Sequence, residues 1–276
     1  MSPPASAASM PVGACDCHIH VFEPAFALSP TALTKPPAVS GLADYRKVQA
    51  ALGLTRAVVV QPTGYGFDNR CTLAAVAGLG PHARGVAVVD SSASDDTLAA
   101  LHVAGIRGVR FMMLPGGVLP WEMLEPVAAR IAAFGWHMDL QVDGVQFPQL
   151  QDRLMRLPVP LVIDHNGKFL QPPTPDAPEF LALCRLMDSG RCWVKLSAPY
   201  ETSRFGAPGY DDVGLLASHL ARNYPERCLW ASNWPHLGRD PAPIDGDLLA
   251  LLRTWAADEA ATRRILVDNP QQLYEF

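Results

Sequence analysis

The sequence predicts an α/β fold, a distorted TIM-like (β/α) barrel in a single domain. Two observations carry that prediction. Short Val/Ile-rich runs alternate with stretches of helical period as far as the C-terminus, the pattern of repeated βα units. Eight such runs fall within 276 residues, whereas about 250 residues is typical of one barrel and doubly wound sheets generally use fewer units.

In chain order the predicted strands are 15–22, 57–61, 85–89, 108–112, 137–142, 161–164, 193–196 and 229–232. Helical period fills the intervals at 42–52, 69–79, 95–104, 121–134, 147–157, 179–189, 211–223 and 245–255, and a closing helix is expected to start near Asp258. Two connections cannot be helical. Residues 171–178 hold four prolines, and 205–210 is a Gly/Pro loop. Both follow strands, so both are candidate active-face loops. The barrel is expected over 14–276, preceded by a Ser/Pro/Ala-rich disordered leader at 1–13, which lacks the basic and apolar regions of a signal peptide.

Composition narrows the function classes. Hydrophobic residues make up 49% and charged residues 18% of the chain, and a chain this long buries roughly 75% of its unfolded surface, so the core needs no disulfide or metal staple. With 22 Lys+Arg against 27 Asp+Glu the net charge is −5, which argues against nucleic acid or an anionic membrane as partner. No apolar run approaches the length of a membrane span. The six cysteines form no CxxC pair and read as free thiols in a reducing, cytoplasmic setting. A small molecule is the expected partner, and a homo-oligomer is compatible with the composition.

In such a barrel the chemistry sits where strands end and βα loops begin. The first strand offers Asp16, His18 and His20, whose spacing of two predicts that all three share one face. The second offers Gln61, then Asp68 in a Gly-rich loop, where Asp68 is equally a helix cap and a catalytic carboxylate. Arg110 ends the fourth strand, and a cation in a barrel mouth must be paired or bind an anion. Gln141 and Asp143 end the fifth; Asp164, His165, Asn166 and Lys168 follow the sixth; Lys195, Ser197 and Tyr200 follow the seventh; Ser232, Asn233 and His236 follow the eighth. Trp230 and Trp234 read as packing residues.

HxH on strand one, the His of "IDHNGK" and the polar residue of "WASNWPH" together resemble the amidohydrolase superfamily. Within it, "CDCHIHV", "RGVRF", "WVKLSAPY", "NWPH" and "ILVDNPQQLY" look like the branch of 2-pyrone-4,6-dicarboxylate lactonases and galactarolactone isomerases, in order over nearly the whole chain. The resemblance implies a distorted barrel that works on lactones without a metal. The residues agree, because the strand-seven position offers no His and the last strand carries Asn233 where a metal-liganding Asp would stand. A neutral amide supplies neither an anionic ligand nor a base. No cofactor and no metal are therefore expected.

Asn233 is also the departure from the lactonase pattern, which would place there an Asp that deprotonates water. Three readings stay open: an engineered inactive lactonase, a natural enzyme that activates no water, or a lactonase whose base has moved to Asp68 or a histidine. The second implies lactone isomerisation, in which the substrate's own hydroxyl is the nucleophile and water must be kept out. On that reading the expected catalytic set is His18, His20, Asp68, His165 and Asn233, with the histidines polarising the carbonyl and Asp68 taking the proton. The expected substrate contacts are Gln61, Arg110, Gln141, Lys168, Ser197, Tyr200 and His236, with Arg110 or Lys168 on a carboxylate. The expected reaction is D-galactaro-1,5-lactone to the 1,4-lactone, with metal-independent lactone hydrolysis as the alternative.

Overall fold

The computed structural model describes residues 10–33 and 35–276. Eight parallel strands form one sheet in sequential order: β1 Cys15–Ile19, β2 Arg56–Val60, β3 Ala83–Ala87, β4 Ile106–Met112, β5 His137–Gln141, β6 Leu161–Ile163, β7 Cys192–Leu196 and β8 Cys228–Trp230. The last strand meets the first just beyond its own end. Ile19 bridges Trp234, the His20 N–H donates to Trp234 O at 2.8 Å and the Asn233 N–H donates to His18 O at 3.0 Å. Those few bonds close the barrel and explain its distortion, because β1 and β8 share no regular ladder.

Helices follow each strand on the outside: α1 Leu42–Leu52, α2 Arg70–Leu79, α3 Asp95–Val103, α4 Leu124–Ala132, α5 Phe147–Met155, α6 Pro178–Asp188, α7 Asp211–Asn223 and α8 Asp245–Trp255. The helix expected from 121 begins as a 3₁₀ turn, Trp121–Met123, and becomes α-helical at Leu124. Asp258 caps the closing helix α9, Glu259–Arg263, by accepting from the Ala261 N–H at 2.8 Å. The chain then ends in α10, Asn269–Tyr274. Of the expected leader, residues 1–9 lie outside the described residues. Met10 is packed on the core, and the Gly13 N–H donates to Thr55 Oγ1 at 3.1 Å.

The interior is layered. Cys15, Cys17, Val58, Val60, Val86, Val162 and Leu229 form an apolar floor with Tyr274, which is fully buried beneath the barrel. Gly108 is needed here: a Cβ on it would stand 2.4 Å from the His137 ring. On β5 the inward positions then climb from His137 through Asp139 to Gln141, all buried, so one strand contributes to floor, middle and mouth.

Strand β1 corrects one expectation. Asp16 pairs with Ala57 but Ile19 pairs with Val59, so three residues of β1 span two of β2. This bulge reverses the side-chain parity. Asp16 consequently turns away from the histidines and accepts from the Ser232 hydroxyl at 2.6 Å, the Ser232 N–H at 2.9 Å and the Tyr45 hydroxyl of α1 at 3.3 Å. It fastens β1 to the chain after β8, while His18 and His20 face the barrel.

Candidate active site

The middle layer is a buried ionic cluster. Lys195 Nζ donates to Asp139 Oδ2 at 2.5 Å and to His18 Nδ1 at 3.0 Å, and lies 3.1 Å from Asp164 Oδ1. Lys195, Asp139, Asp164 and His18 are all 0% exposed. Isolated charges at such depth would be prohibitive, so each is tolerable only because the others are present. Burial opposes the lysine charge, but the two carboxylates hold the Lys195 pKa above its ordinary value. Burial likewise opposes the Asp164 charge, yet Lys195, His18 and His165 hold that carboxyl well below the usual range. Burial and the neighbouring Asp164 push Asp139 upward.

The histidine protons follow from the hydrogen bonds. His20 Nδ1 faces the Val60 carbonyl at 2.7 Å, and a carbonyl only accepts, so Nδ1 carries the hydrogen. Burial, reinforced by Arg110, lowers the His20 pKa to about 3, so its Nε2 is a lone pair. That lone pair lies 3.2 Å from His18 Nε2, while His18 Nδ1 stands between the Lys195 ammonium at 3.0 Å and Asp164 Oδ1 at 3.2 Å. Both HxH imidazoles are thus committed to a chain running from the lysine to the β2 backbone.

Above them opens a cavity of about 340 Å³ at the C-terminal ends of the strands. Its polar wall comprises His20, Arg110, Gln141, His165, Lys168, Glu201, Asn233 and Arg239; Met112, Leu114 and Leu237 supply an apolar part. Arg110, 6% exposed, donates to Gln61 O at 3.1 Å and to Gln141 Oε1 at 3.0 Å, and its buried Nε has no hydrogen-bond partner among the described residues. Lys168 pairs with Glu201 Oε2, and Asn233 Nδ2 donates to the other oxygen, Oε1, at 2.9 Å and to Tyr200 Oη at 3.0 Å. Burial lowers the Lys168 pKa to about 8, with Arg110 adding to the shift.

Left-handed backbone aims these groups. His165, Asn166 and Lys168 after β6, Ala198 after β7, and Asn233 and His236 after β8 all have φ between 46° and 62°. Non-glycine residues adopt that region at some cost, and such strain concentrates at functional sites. Tertiary bonds hold it: Asn166 Nδ2 donates to Ser197 O at 2.6 Å, and His165 Nδ1 meets Ser197 Oγ at 2.8 Å.

Of the residues the sequence singles out, His20, Arg110, Gln141, His165, Lys168 and Asn233 meet around the cavity. His18 lies directly beneath. Ser197, Tyr200 and His236 stand behind the wall: Tyr200 Oη contacts His236 Nδ1 at 2.9 Å, and His236 Nε2 contacts Asp245 Oδ1 at 3.0 Å. Two expectations are corrected. The Gln61 side chain is turned onto the loop carbonyls of Gly66 and Asp68 and onto the Thr72 hydroxyl, so it shapes the loop and leaves the cavity to its neighbours. Asp68 is not brought to the cavity, because its carboxylate is gripped by the Arg70 guanidinium at 2.6–3.1 Å on the outer surface. The cavity carboxylate is Glu201, which sequence reasoning missed together with Arg239, Asp139 and the central role of Lys195. Lys195 had a legible signal: two residues before Ser197 on one strand, it had to point into the same barrel.

The family model for amidohydrolases matches residues 15–276. The chain belongs to the amidohydrolase family. It is 36% identical to the D-galactarolactone isomerase of Agrobacterium fabrum, over 97% of this chain and 93% of that one. It is also 36% identical to the 2-pyrone-4,6-dicarboxylate hydrolase of Comamonas testosteroni, over 96% and 91%. An apo crystal structure from Agrobacterium tumefaciens superposes with a TM-score of 0.93 at 36% identity, covering 98% of each chain.

The donor set of this amidohydrolase can be tested against a divalent ion. Ligand atoms of His18, Asp164 and His165 lie within 4.8 Å of one another, close enough for three ligands. Two of the three, however, already serve the Lys195 ammonium, which a divalent ion would have to face at close range. Asn233, at the strand-eight position, turns an amide N–H2 toward the wall as a donor. The ammonium beside the ligands and the amide donor at the strand-eight position weigh against the ion, while the Asp164 oxygens, without a hydrogen-bond partner among the described residues, weigh for it.

Proposed function

We propose that this amidohydrolase is a metal-independent sugar-lactone isomerase that converts D-galactaro-1,5-lactone to the 1,4-lactone. The observation that carries the reading is Asn233, whose amide nitrogen donates to Tyr200 Oη and Glu201 Oε1. An amide fixed as a donor takes no proton from water, so the strand-eight position holds the wall together without making hydroxide. The similarity to a D-galactarolactone isomerase supports the same reading.

In this mechanism the free carboxylate of the lactone lies on Arg110, since Lys168 is engaged by Glu201. The lactone carbonyl faces His165, whose neutral ring donates from Nε2 when Ser197 donates to Nδ1. The His20 N–H is spent on Val60 and the His18 ring is held among Lys195, Asp164 and His20, so both support the site from beneath. The C4 hydroxyl attacks C1, a C4–O–C1 bond forms and the C1–O5 ring bond breaks. Glu201 accepts the hydroxyl proton and returns it to O5, which becomes the new C5 hydroxyl. No water enters the balance.

Proton NMR of freshly prepared 1,5-lactone with chelator-treated enzyme tests this. The expected course is 1,4-lactone appearing ahead of open diacid, faster than the enzyme-free control, with a rate unchanged within about twofold by metal removal. Direct, accelerated formation of diacid would instead favour the lactonase reading. That second reading draws on Glu201, a cavity carboxylate able to activate water, and on the similarity to a lactone hydrolase.

A further inference from the structure

Among the described residues the cavity wall carries three cations, Arg110, Lys168 and Arg239, and one carboxylate, Glu201. Their arrangement is unequal. Lys168 is 5% exposed and its ammonium is paired with Glu201 Oε2. The other Glu201 oxygen is held by Asn233, so both oxygens are positioned by buried partners. Arg239 is exposed, lies over the Tyr200 ring at 5.6 Å and donates to the Glu201 backbone carbonyl at 3.3 Å. Among the described residues Arg110 is the buried cation of the wall with no carboxylate in hydrogen-bond range; its ion pair with Asp164 is long, at 3.9 Å, and that carboxylate already lies 3.1 Å from Lys195.

We infer that Glu201 is a charge filter: by neutralising Lys168 it leaves the cavity one buried cation, Arg110, and so selects lactones bearing one carboxylate and several hydroxyls over flat dicarboxylates. This deepens the lactone reading above and rests on it. A second ligand carboxylate near Lys168 would meet the Glu201 charge in a partly desolvated wall, where like charges repel strongly. A ligand hydroxyl there would find a carboxylate acceptor and an ammonium donor together, which suits a polyol. The filter is distinct from the proton transfer assigned to Glu201, because it acts on binding in the absence of turnover.

The test is a binding ratio. Isothermal titration gives the dissociation constants of galactaro-1,4-lactone, a monoanion, and of 2-pyrone-4,6-dicarboxylate, a dianion, for the wild type, Glu201→Gln and Glu201→Asp. Wild type is expected to prefer the monoanion, Glu201→Gln to shift the ratio toward the dianion at least about tenfold, and Glu201→Asp, which keeps the charge, to stay within about threefold of wild type. A Glu201→Gln ratio equal to wild type overturns the inference, and so does an equal shift in Glu201→Asp. Thermal melting confirms that each variant is folded. Because the ratio is read from binding, it fails independently of the NMR course: isomerisation with an unmoved ratio rejects the filter alone, whereas hydrolysis with a moved ratio rejects the isomerase reading alone.

Discussion

The ionic middle of the barrel and the cavity above it use the same residue types to opposite ends. In the middle, Lys195 is surrounded by Asp139, Asp164 and His18 at 2.5–3.1 Å, and every charge has an opposite charge beside it. At the mouth, among the described residues, Arg110 reaches neutral oxygens within hydrogen-bond range and the Asp164 carboxylate at 3.9 Å, and the Lys168–Glu201 ion pair lies along the cavity wall. A cluster whose charges are matched to one another is scaffold; a wall that keeps a buried donor in hand, as Arg110 Nε does, is equipped for a ligand. The two layers are joined by His18 and His20, which carry the hydrogen-bond chain upward without exposing the lysine.

The largest effect that would break this comparison is at its centre. Lys195→Met removes the cation and leaves two buried carboxylates facing each other, so chemical denaturation should show a loss of about 3–5 kcal/mol. A loss under about 1 kcal/mol would mean that the cluster does not organise the barrel. At the mouth, Arg110→Gln is expected to raise KM for the carboxylate-bearing lactone about ten- to a hundredfold, the worth of a charge-assisted bond, with little change in melting temperature. Equal loss of stability in both variants would erase the distinction between the layers.

The pH dependence sharpens it further. His20, with its pKa lowered to about 3 by burial, stays neutral across the ordinary range and should add no limb to the profile. Burial brings the Lys168 pKa down to about 8. Below that value its ammonium offsets Glu201; above it the wall gains an uncompensated negative charge, so affinity for galactaro-1,4-lactone should fall as pH rises through about 8. Lys168→Arg, permanently charged, should abolish that limb in the same titration. The smallest effect is expected at Asp68, whose exposed pairing with Arg70 is solvent-screened. Asp68→Asn should leave kcat/KM within about twofold; a hundredfold loss would return that residue to the mechanism.

The fold was highly legible. The alternation of periods located all eight βα units, and helices α1, α7 and α8 span the ranges expected from sequence. The site was legible where strand parity holds, as at Arg110 and Gln141. It was not legible at Asp16, because a bulge is a count of three against two that appears only when β1 meets β2. Asp68 had two equal readings in sequence, and the neighbouring Arg70 decided between them. Glu201 sits in a 3₁₀ turn entered through the left-handed Ala198, where no period predicts direction. Its adjacency to Tyr200 after strand seven was the available clue.

The most direct test of the central claim is the fate of solvent oxygen. Isomerisation of D-galactaro-1,5-lactone in ¹⁸O-water, followed by mass spectrometry of the 1,4-lactone at early times, separates internal acyl transfer from hydrolysis and reclosure. Direct attack by the substrate hydroxyl predicts a 1,4-lactone free of ¹⁸O. Label at C1 of the 1,4-lactone above the enzyme-free control would show that water is the nucleophile and would contradict the account.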